Sequence, residues 1–239
     1  MTKEQQAELA LFLRSTKVGD NYKLVPVQSG RNSLVFQVHH SSGDWLLKKY
    51  HQHPEDKRDR LGTEFGFLQF LWRRKIRQIP EPIICDRVHH MGIFSYIKGS
   101  RPKEVEPRHI NQAVQFIFQI NQFRECAGDS TLPNASEACF SVNEHLNSVE
   151  HRLKDLSCLE GDTELVKQAQ EFVEKCLVQK WSQMKEHIEK VIREKNFEGI
   201  LSQEERILSP SDFGFHNTLE SEQGDLSFID FEYAGWDDP

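Results

Sequence analysis

β-forming residues run through 22–27, 34–39 and 45–50, and turn-forming stretches separate them. Gln28-Ser29-Gly30-Arg31-Asn32-Ser33 is the first turn, because Gly and Asn tolerate positive φ, and Ser41-Ser42-Gly43-Asp44 is the second. Three strands joined by short turns predict an antiparallel meander. Ahead of it, residues 3–15 predict a short helix with Leu9, Leu11, Phe12 and Leu13 on its apolar side. Behind it, Leu61, Phe65, Leu68, Leu71 and Trp72 recur at helical spacing over 58–75, until Pro80 and Pro82 stop the pattern. Residues 83–88 and 93–97 read as two more strands, so the first 97 residues hold five strands and an inserted helix.

The period changes after Gly99. Residues 107–124 predict a helix with Ile110, Val114, Ile117 and Phe118 on one side, and 142–156 another. Residues 163–195 predict one long helix or two in series, with a stripe of Leu165, Phe172, Cys176, Met184, Ile188 and Val191. The pairs Glu171–Lys175, Glu186–Lys190 and Glu189–Arg193 mark its solvated face. The pattern then returns to short strands at 207–208, 218–219 and 226–231, with a turn at Gly224. The expectation is an α+β chain, residues 1–97 forming one lobe and 98–239 a mainly helical second one.

Composition narrows the function. A net charge of −7 argues against nucleic acid as a partner, since such proteins carry basic surfaces. No run of 18 apolar residues exists to cross a membrane, and charges interrupt the amino-terminal segment that a secretory signal would need. Five cysteines, an odd number with no C-x2-C pair, suggest neither a disulfide framework nor a zinc site. Together these point to a cytoplasmic protein with reduced thiols and no evident partner protein. The histidines at 39–40, 51 and 53, and 89–90 read as solvated turn and strand-end residues rather than metal ligands.

The chemistry concentrates near the end of the sequence. Asp212 and Asn217 stand five apart between two short strands, and Asp230 ends a third strand whose partner begins just after Asn217. A hairpin of that length returns Asp230 beside Asn217. Two carboxylates and an amide oxygen then meet at one end of a small sheet, a set of hard ligands suited to Mg²⁺ with phosphates. D-x4-N followed by an Asp on the next strand matches phosphoryl-transfer catalytic loops. Lys48 on the third strand and Glu64 on the next helix match the pair that holds ATP phosphates in kinases. Lys49 is the alternative to Lys48, because neighbouring strand residues face opposite sides. Glu64 has the alternative of a plain helix-surface residue. Glu232 reads equally as a supporting acid or an exposed one, and His216 as a residue that orients the loop.

On these residues the chain resembles the aminoglycoside phosphotransferase/choline kinase-like family, the bacterial "phosphotransferase enzyme family" with a protein-kinase-like two-lobe fold. The similar pieces are Ser29 to Ser33 with Val35-Phe36, then Leu47-Lys48-Lys49-Tyr50, Arg58 to Leu61 with Glu64, Tyr96 to Gly99, Asp212 to Asn217, and Ile229 to Pro239. The resemblance implies ATP and Mg²⁺ as cofactors and Asp212 as the base toward a substrate hydroxyl. It implies Asn217 and Asp230 as metal ligands, and Lys48, paired with Glu64, as a phosphate contact. It places a phosphate-covering turn at Ser29, Gly30, Asn32 and Ser33, and an adenine-binding hinge over Phe94, Tyr96 and Ile97. The acceptor is then a small molecule: an aminoglycoside, an amino alcohol such as choline, or a sugar. No Ala-Pro-Glu motif follows Asp230, which argues against protein substrates.

Two departures stand out. The family usually has His-Gly before the catalytic Asp, and this chain has Pro210-Ser211. Family members also continue well past the Asp-Pro at which this sequence stops, so a truncated C-terminal side and an incomplete acceptor pocket are expected. Both keep open a nucleotide-binding pseudokinase or interaction module without turnover.

Overall fold

The computed structural model describes residues 3–16, 21–27, 32–54, 56, 58–127, 132–195 and 199–239. Its residues fall into two compact units, 1–137 with 207–236, and 138–206 with 237–239.

The first unit opens with helix α1 (Lys3–Arg14), then strands β1 (Tyr22–Val27), β2 (Ser33–His40) and β3 (Gly43–Tyr50). Helix α2 (Arg60–Arg73) precedes β4 (Pro82–Asp86) and β5 (Met91–Ser95). The five strands form one antiparallel sheet, as the strand pattern predicts, and their order is β1-β2-β3-β5-β4. Leu9, Phe12 and Leu13 of α1 bury against Phe36, Val38, Leu47, Met91 and Ile93. Leu11, expected on that apolar side, is exposed instead. Strand alternation does the rest. Leu47 enters the core under α1 and Lys49 pairs with Glu8 of α1, so Lys48 points to the other face, toward α2. Asp59 caps α2, its carboxylate accepting the Gly62 N–H at 2.9 Å. A Cβ at Gly62 would lie 2.1 Å from Asp59 Oδ2, so a larger residue there would displace the capping carboxylate.

Helices α3 (Pro107–Asn121) and α4 (Arg124–Ala127) follow, α3 opening with proline at its first turn. The periodicity predicts an apolar side of Ile110, Val114, Ile117 and Phe118. The structure buries His109, Phe116 and Ile120 and leaves Ile110, Val114 and Phe118 exposed. At 100° per residue these two sets lie roughly a third of a turn apart, so the helix has two apolar faces and packs on the narrower one. The unit closes with β6 (Ile207–Ser209), a 3-10 turn (Phe215–Asn217), β7 (Thr218–Glu220), β8 (Leu226–Phe228) and β9 (Gly235–Asp237). β7 and β8 form the expected hairpin. The expected strand over 226–231 stops at Phe228, and β9, which pairs with β6, is not evident from the pattern.

The second unit carries α5 (Val142–Ser157), α6 (Glu164–Phe172) and α7 (Gln179–Lys195). Ser141 and Thr163 cap α5 and α6 through their hydroxyls. A π-helical stretch, Val173–Val178, joins α6 to α7 without a break. Each π turn holds an extra residue and rotates the helix face. The predicted stripe therefore does not stay in register. Val173 is buried there, while Leu165, Phe172, Cys176 and Met184 are exposed. Glu171–Lys175 and Glu189–Arg193 pair as expected, whereas Lys190 pairs with Glu194 rather than Glu186. Among the described residues no helix is long and apolar enough to span a membrane. All five cysteines are free thiols.

Candidate active site

The site lies wholly in the first unit and is built on aromatic packing. Phe116 of α3 stacks on Phe228 with ring centroids 4.2 Å apart, and lies 6.0 Å from Phe213 and 6.3 Å from Phe231. Phe67 of α2 stacks on Phe231 at 5.7 Å. Phe213 directly follows Asp212, and Phe228 and Phe231 flank Ile229-Asp230. Such ring pairs each add about 0.5–1.5 kcal/mol beyond simple burial. The core therefore anchors the backbone on either side of the two carboxylates.

Thr218 pairs with Phe228 across the hairpin, and the Ile229 N–H donates to the Asn217 carbonyl at 3.0 Å. Asp230 then turns through a left-handed backbone, φ +69°, a conformation Asp tolerates better than most residues. Its Oδ1 accepts from Lys48 Nζ at 2.7 Å, and Lys48 Nζ donates to Glu64 Oε2 at the same distance. Lys48 and Glu64 are buried, while the Asp230 side chain is 43% exposed. The Tyr50 hydroxyl donates to the same Glu64 oxygen. The geometry thus selects Lys48 over Lys49, and Glu64 is an interior residue rather than a helix-surface one.

The electrostatics follow from this geometry. Burial alone would lower the Lys48 pKa, but Glu64 and Asp230 outweigh it and raise it above its ordinary value. Burial pushes the Glu64 carboxyl up, against the pull of Lys48. Two carboxylates share one ammonium, which leaves a surplus negative charge. That surplus, the accessible Asp230 carboxylate and the Asn217 Oδ1, left over while Nδ2 donates to Asp212, fit a hard divalent cation. Among the described residues no three His, Cys, Asp or Glu side chains cluster as a metal site. His39 and His89 instead bond Asp44 at 3.0 Å and Asp86 at 2.7 Å.

Asp212 is exposed, yet both of its carboxylate oxygens are engaged. His216 Nε2 lies 3.1 Å from Oδ1, and Asn217 Nδ2 donates to Oδ2 at 3.2 Å and to the Asp212 carbonyl at 3.0 Å. His216 thus touches the carboxylate of the loop it was expected to orient. Ser211, where the resemblance calls for Gly, adopts φ +66°. A left-handed residue with a Cβ costs about 1–2 kcal/mol, and the greater freedom of unfolded glycine takes back about 0.5–1. Ser211→Gly is therefore expected to stabilise the protein by about 0.5–1 kcal/mol in urea unfolding; a loss of stability would show that the serine side chain holds the loop.

Ser29 and Gly30 of the expected phosphate turn lie outside the described residues. Asn32 and Ser33 lie at its end, and Ser33 is buried at the start of β2. Asn32 Nδ2 donates to Glu232 Oε1 and to the Tyr233 hydroxyl, each at 2.6 Å. Glu232 is 4% exposed and sits 3.7 Å from Arg60 Nε. Arg60 and Arg58 lie over the Tyr233 ring, and both bind Asp56, whose carboxyl is held well below its ordinary range chiefly by Arg58. This network resolves Glu232 as a buried supporting acid. The pattern carried no sign of this network, because Asn32 lies 200 residues from Glu232 in sequence.

Of the expected hinge, Phe94 lies inside β5 with its ring 6.0 Å from Phe65. The Ser95 N–H donates to Glu81 at 2.9 Å and the Tyr96 N–H reaches Asp44 at 3.4 Å. The Ile97 N–H has no partner among the described residues.

An antiparallel sheet with a buried Lys–Glu pair, joined to a strand–loop–strand hairpin that returns an Asp to that lysine, defines a protein-kinase-like fold. The chain belongs to the phosphotransferase enzyme family, whose profile matches residues 23–239. Solved structures of the same fold include a spectinomycin phosphotransferase with ADP and spectinomycin, 14% identical with a TM-score of 0.59, the match covering 97% of this chain and 70% of that one. The streptomycin–ATP–APH(2")-IIa ternary complex is 19% identical with a TM-score of 0.60, over 100% and 73%. A choline kinase from Cryptosporidium parvum is 16% identical with a TM-score of 0.61, over 97% and 66%. No curated protein matches the sequence.

Proposed function

We propose that the protein transfers the γ-phosphoryl group of ATP, with Mg²⁺, to a hydroxyl of a small molecule of the aminoglycoside, amino alcohol or sugar class. The observation that carries this reading is Lys48 Nζ held 2.7 Å from both Glu64 and Asp230. In this reading residues 1–97 form the nucleotide-binding lobe, and 98–239 supply the catalytic loop. Lys48 contacts the ATP phosphates, and Glu64 keeps its ammonium pointed at them. The turn of Ser29, Gly30, Asn32 and Ser33 covers the phosphates, tied down through Asn32. The hinge over Phe94, Tyr96 and Ile97 receives adenine, with the Ile97 N–H as its donor. Asp212 accepts the proton of the attacking hydroxyl. Asn217 and Asp230 would hold Mg²⁺, which would offset the negative charge of the phosphates. Catalysis is then mostly positioning and charge neutralisation. The spectinomycin, streptomycin and choline of the solved neighbours support an acceptor with hydroxyls and a positive charge. An Asp212 bonded at both oxygens supports turnover over a pure binding module.

The test is thermal unfolding with and without ATP and Mg²⁺, on wild type and Asp230→Ala. At a hundredfold excess over Kd, binding adds about 2.7 kcal/mol, or about 5–10 °C for a domain of this size. A Mg²⁺-dependent rise that Asp230→Ala loses supports the site and leads to an acceptor screen read as ADP release. No rise on a cooperatively melting wild type rejects the reading. A rise with no ADP from any acceptor returns the binding-module alternative.

A further inference from the structure

The resemblance accounts for Asp212 and Asn217 but leaves two neighbours without a role. The catalytic loop is anchored at alternate positions. Phe213 packs into the aromatic core, and Phe215 lies against His109 at 6.3 Å. Between and beside them, Asp212, Gly214 and His216 share the other side. The 3-10 turn begins after Gly214, where the Asn217 N–H donates to the Gly214 carbonyl at 2.9 Å and the Thr218 hydroxyl to the Phe215 carbonyl at 2.8 Å. That turn folds the His216 ring back over Gly214 to reach Asp212.

Gly214 is extended, φ −151°, so its backbone needs no glycine. The space does. A Cβ there would stand 2.6 Å from His216 Nδ1 and 2.7 Å from Cε1, a separation real Cβ atoms do not show. The ring occupies the volume that a side chain at 214 would fill. At the far side of the ring, Nε2 lies 3.1 Å from Asp212 Oδ1. The Asp212 side chain is 49% exposed, so hydrogen bonds do much of the work of holding it. Asn217, bound to Oδ2 alone, would leave the carboxylate free to pivot about that bond. A second donor on Oδ1 removes the pivot.

We infer that His216 is a positioning residue that fixes the Asp212 carboxylate from the side opposite Asn217, and that Gly214 is the space its ring requires. The inference rests on Asp212 serving as the base, as proposed above. The fold places the two donors on different carboxylate oxygens, and with both present the base is held in one orientation before substrate arrives. A displacement of about 1 Å in such a group costs about a hundredfold in rate.

The experiment uses the full chain with MgATP, water as acceptor, and phosphate release as the signal. Variants are His216→Ala, His216→Gln, Gly214→Ala and the double Gly214→Ala/His216→Ala. The expected result for His216→Ala is a kcat lower by about ten- to a hundredfold, with the ATP KM and the MgATP thermal shift unchanged. Gln, which keeps a terminal N–H donor, restores most of the rate. Gly214→Ala matches His216→Ala, and the double variant falls no further, because both remove one interaction. Wild-type kcat in His216→Ala, or additive losses in the double variant, overturn the inference. A crystal structure of His216→Ala decides the point without activity: Asp212 in a new orientation or in several supports it, and an unchanged single orientation rejects it. A wild type that gives a crystal but no MgATP shift would reject the kinase reading, while the orientation of Asp212 in the variant still answers for the clamp.

Discussion

An Asp212→Asn variant is expected to lose about 10²–10⁴-fold in kcat, the usual share of general-base catalysis. Its MgATP thermal shift should stay at the wild-type size. The two readouts separate because Asp212 bonds His216 and Asn217, whereas the charges proposed for the nucleotide, Lys48, Glu64 and Asp230, bond one another. Asn keeps the volume and one oxygen acceptor but cannot take a proton from an attacking hydroxyl. Steady-state ADP release with the best acceptor found is the measurement. A variant that keeps more than a tenth of the wild-type kcat would remove Asp212 from the role of base.

The second large effect is on stability. Lys48→Met keeps the length of the apolar stem and strips the ammonium from two carboxylates. Glu64, 2% exposed, would be left with only the Tyr50 hydroxyl. Breaking a buried pair from one side costs about 3–5 kcal/mol. The pH dependence has a definite sign. Unfolded, Glu64 titrates near its ordinary 4.5, and burial raises its folded value above that even with Lys48 present. A raised carboxyl favours the folded state most below 4.5, and that benefit is lost as pH rises through the folded value. Lys48→Met should therefore be least stable at neutral pH and recover on mild acidification. Lys48→Met/Glu64→Gln should flatten this slope. Urea unfolding from pH 5 to 8 reads both, and a Lys48→Met variant with no pH slope would mean that Glu64 regains water or another partner.

What could be read in advance follows sequence separation. The five-strand sheet and both of its helices were legible, since each is written in a local period and bounded by Gly, Asn or Pro. The hairpin was legible for the same reason: Asp212, Asn217 and Asp230 lie within one short stretch. Strand pattern alone left Lys48 and Lys49 open and only the resemblance chose Lys48, because the physical distinction, Glu8 taking the second lysine on the opposite face, lies outside the strand. Glu232 could not be assigned either, as its partners Asn32 and Arg60 come from the other end of the sequence. In α3 the signal was ambiguous in itself. A helix with apolar residues at 110, 114, 116, 117, 118 and 120 offers two faces, and only the surrounding rings select Phe116 and Ile120. The π stretch defeated the stripe in the second unit by shifting its register.

The bridge from Lys48 to Asp230 spans 182 residues. A ribosome adding about 5–20 residues per second takes about 10–35 s to travel that distance. During that interval the amino-terminal sheet can fold and pair Lys48 with Glu64, but the second carboxylate does not yet exist. The charge balance that would suit a cation at the proposed site is thus completed only once Asp230 has been made. A chain cut short before Asp230 would lack one of the two carboxylates that hold Lys48.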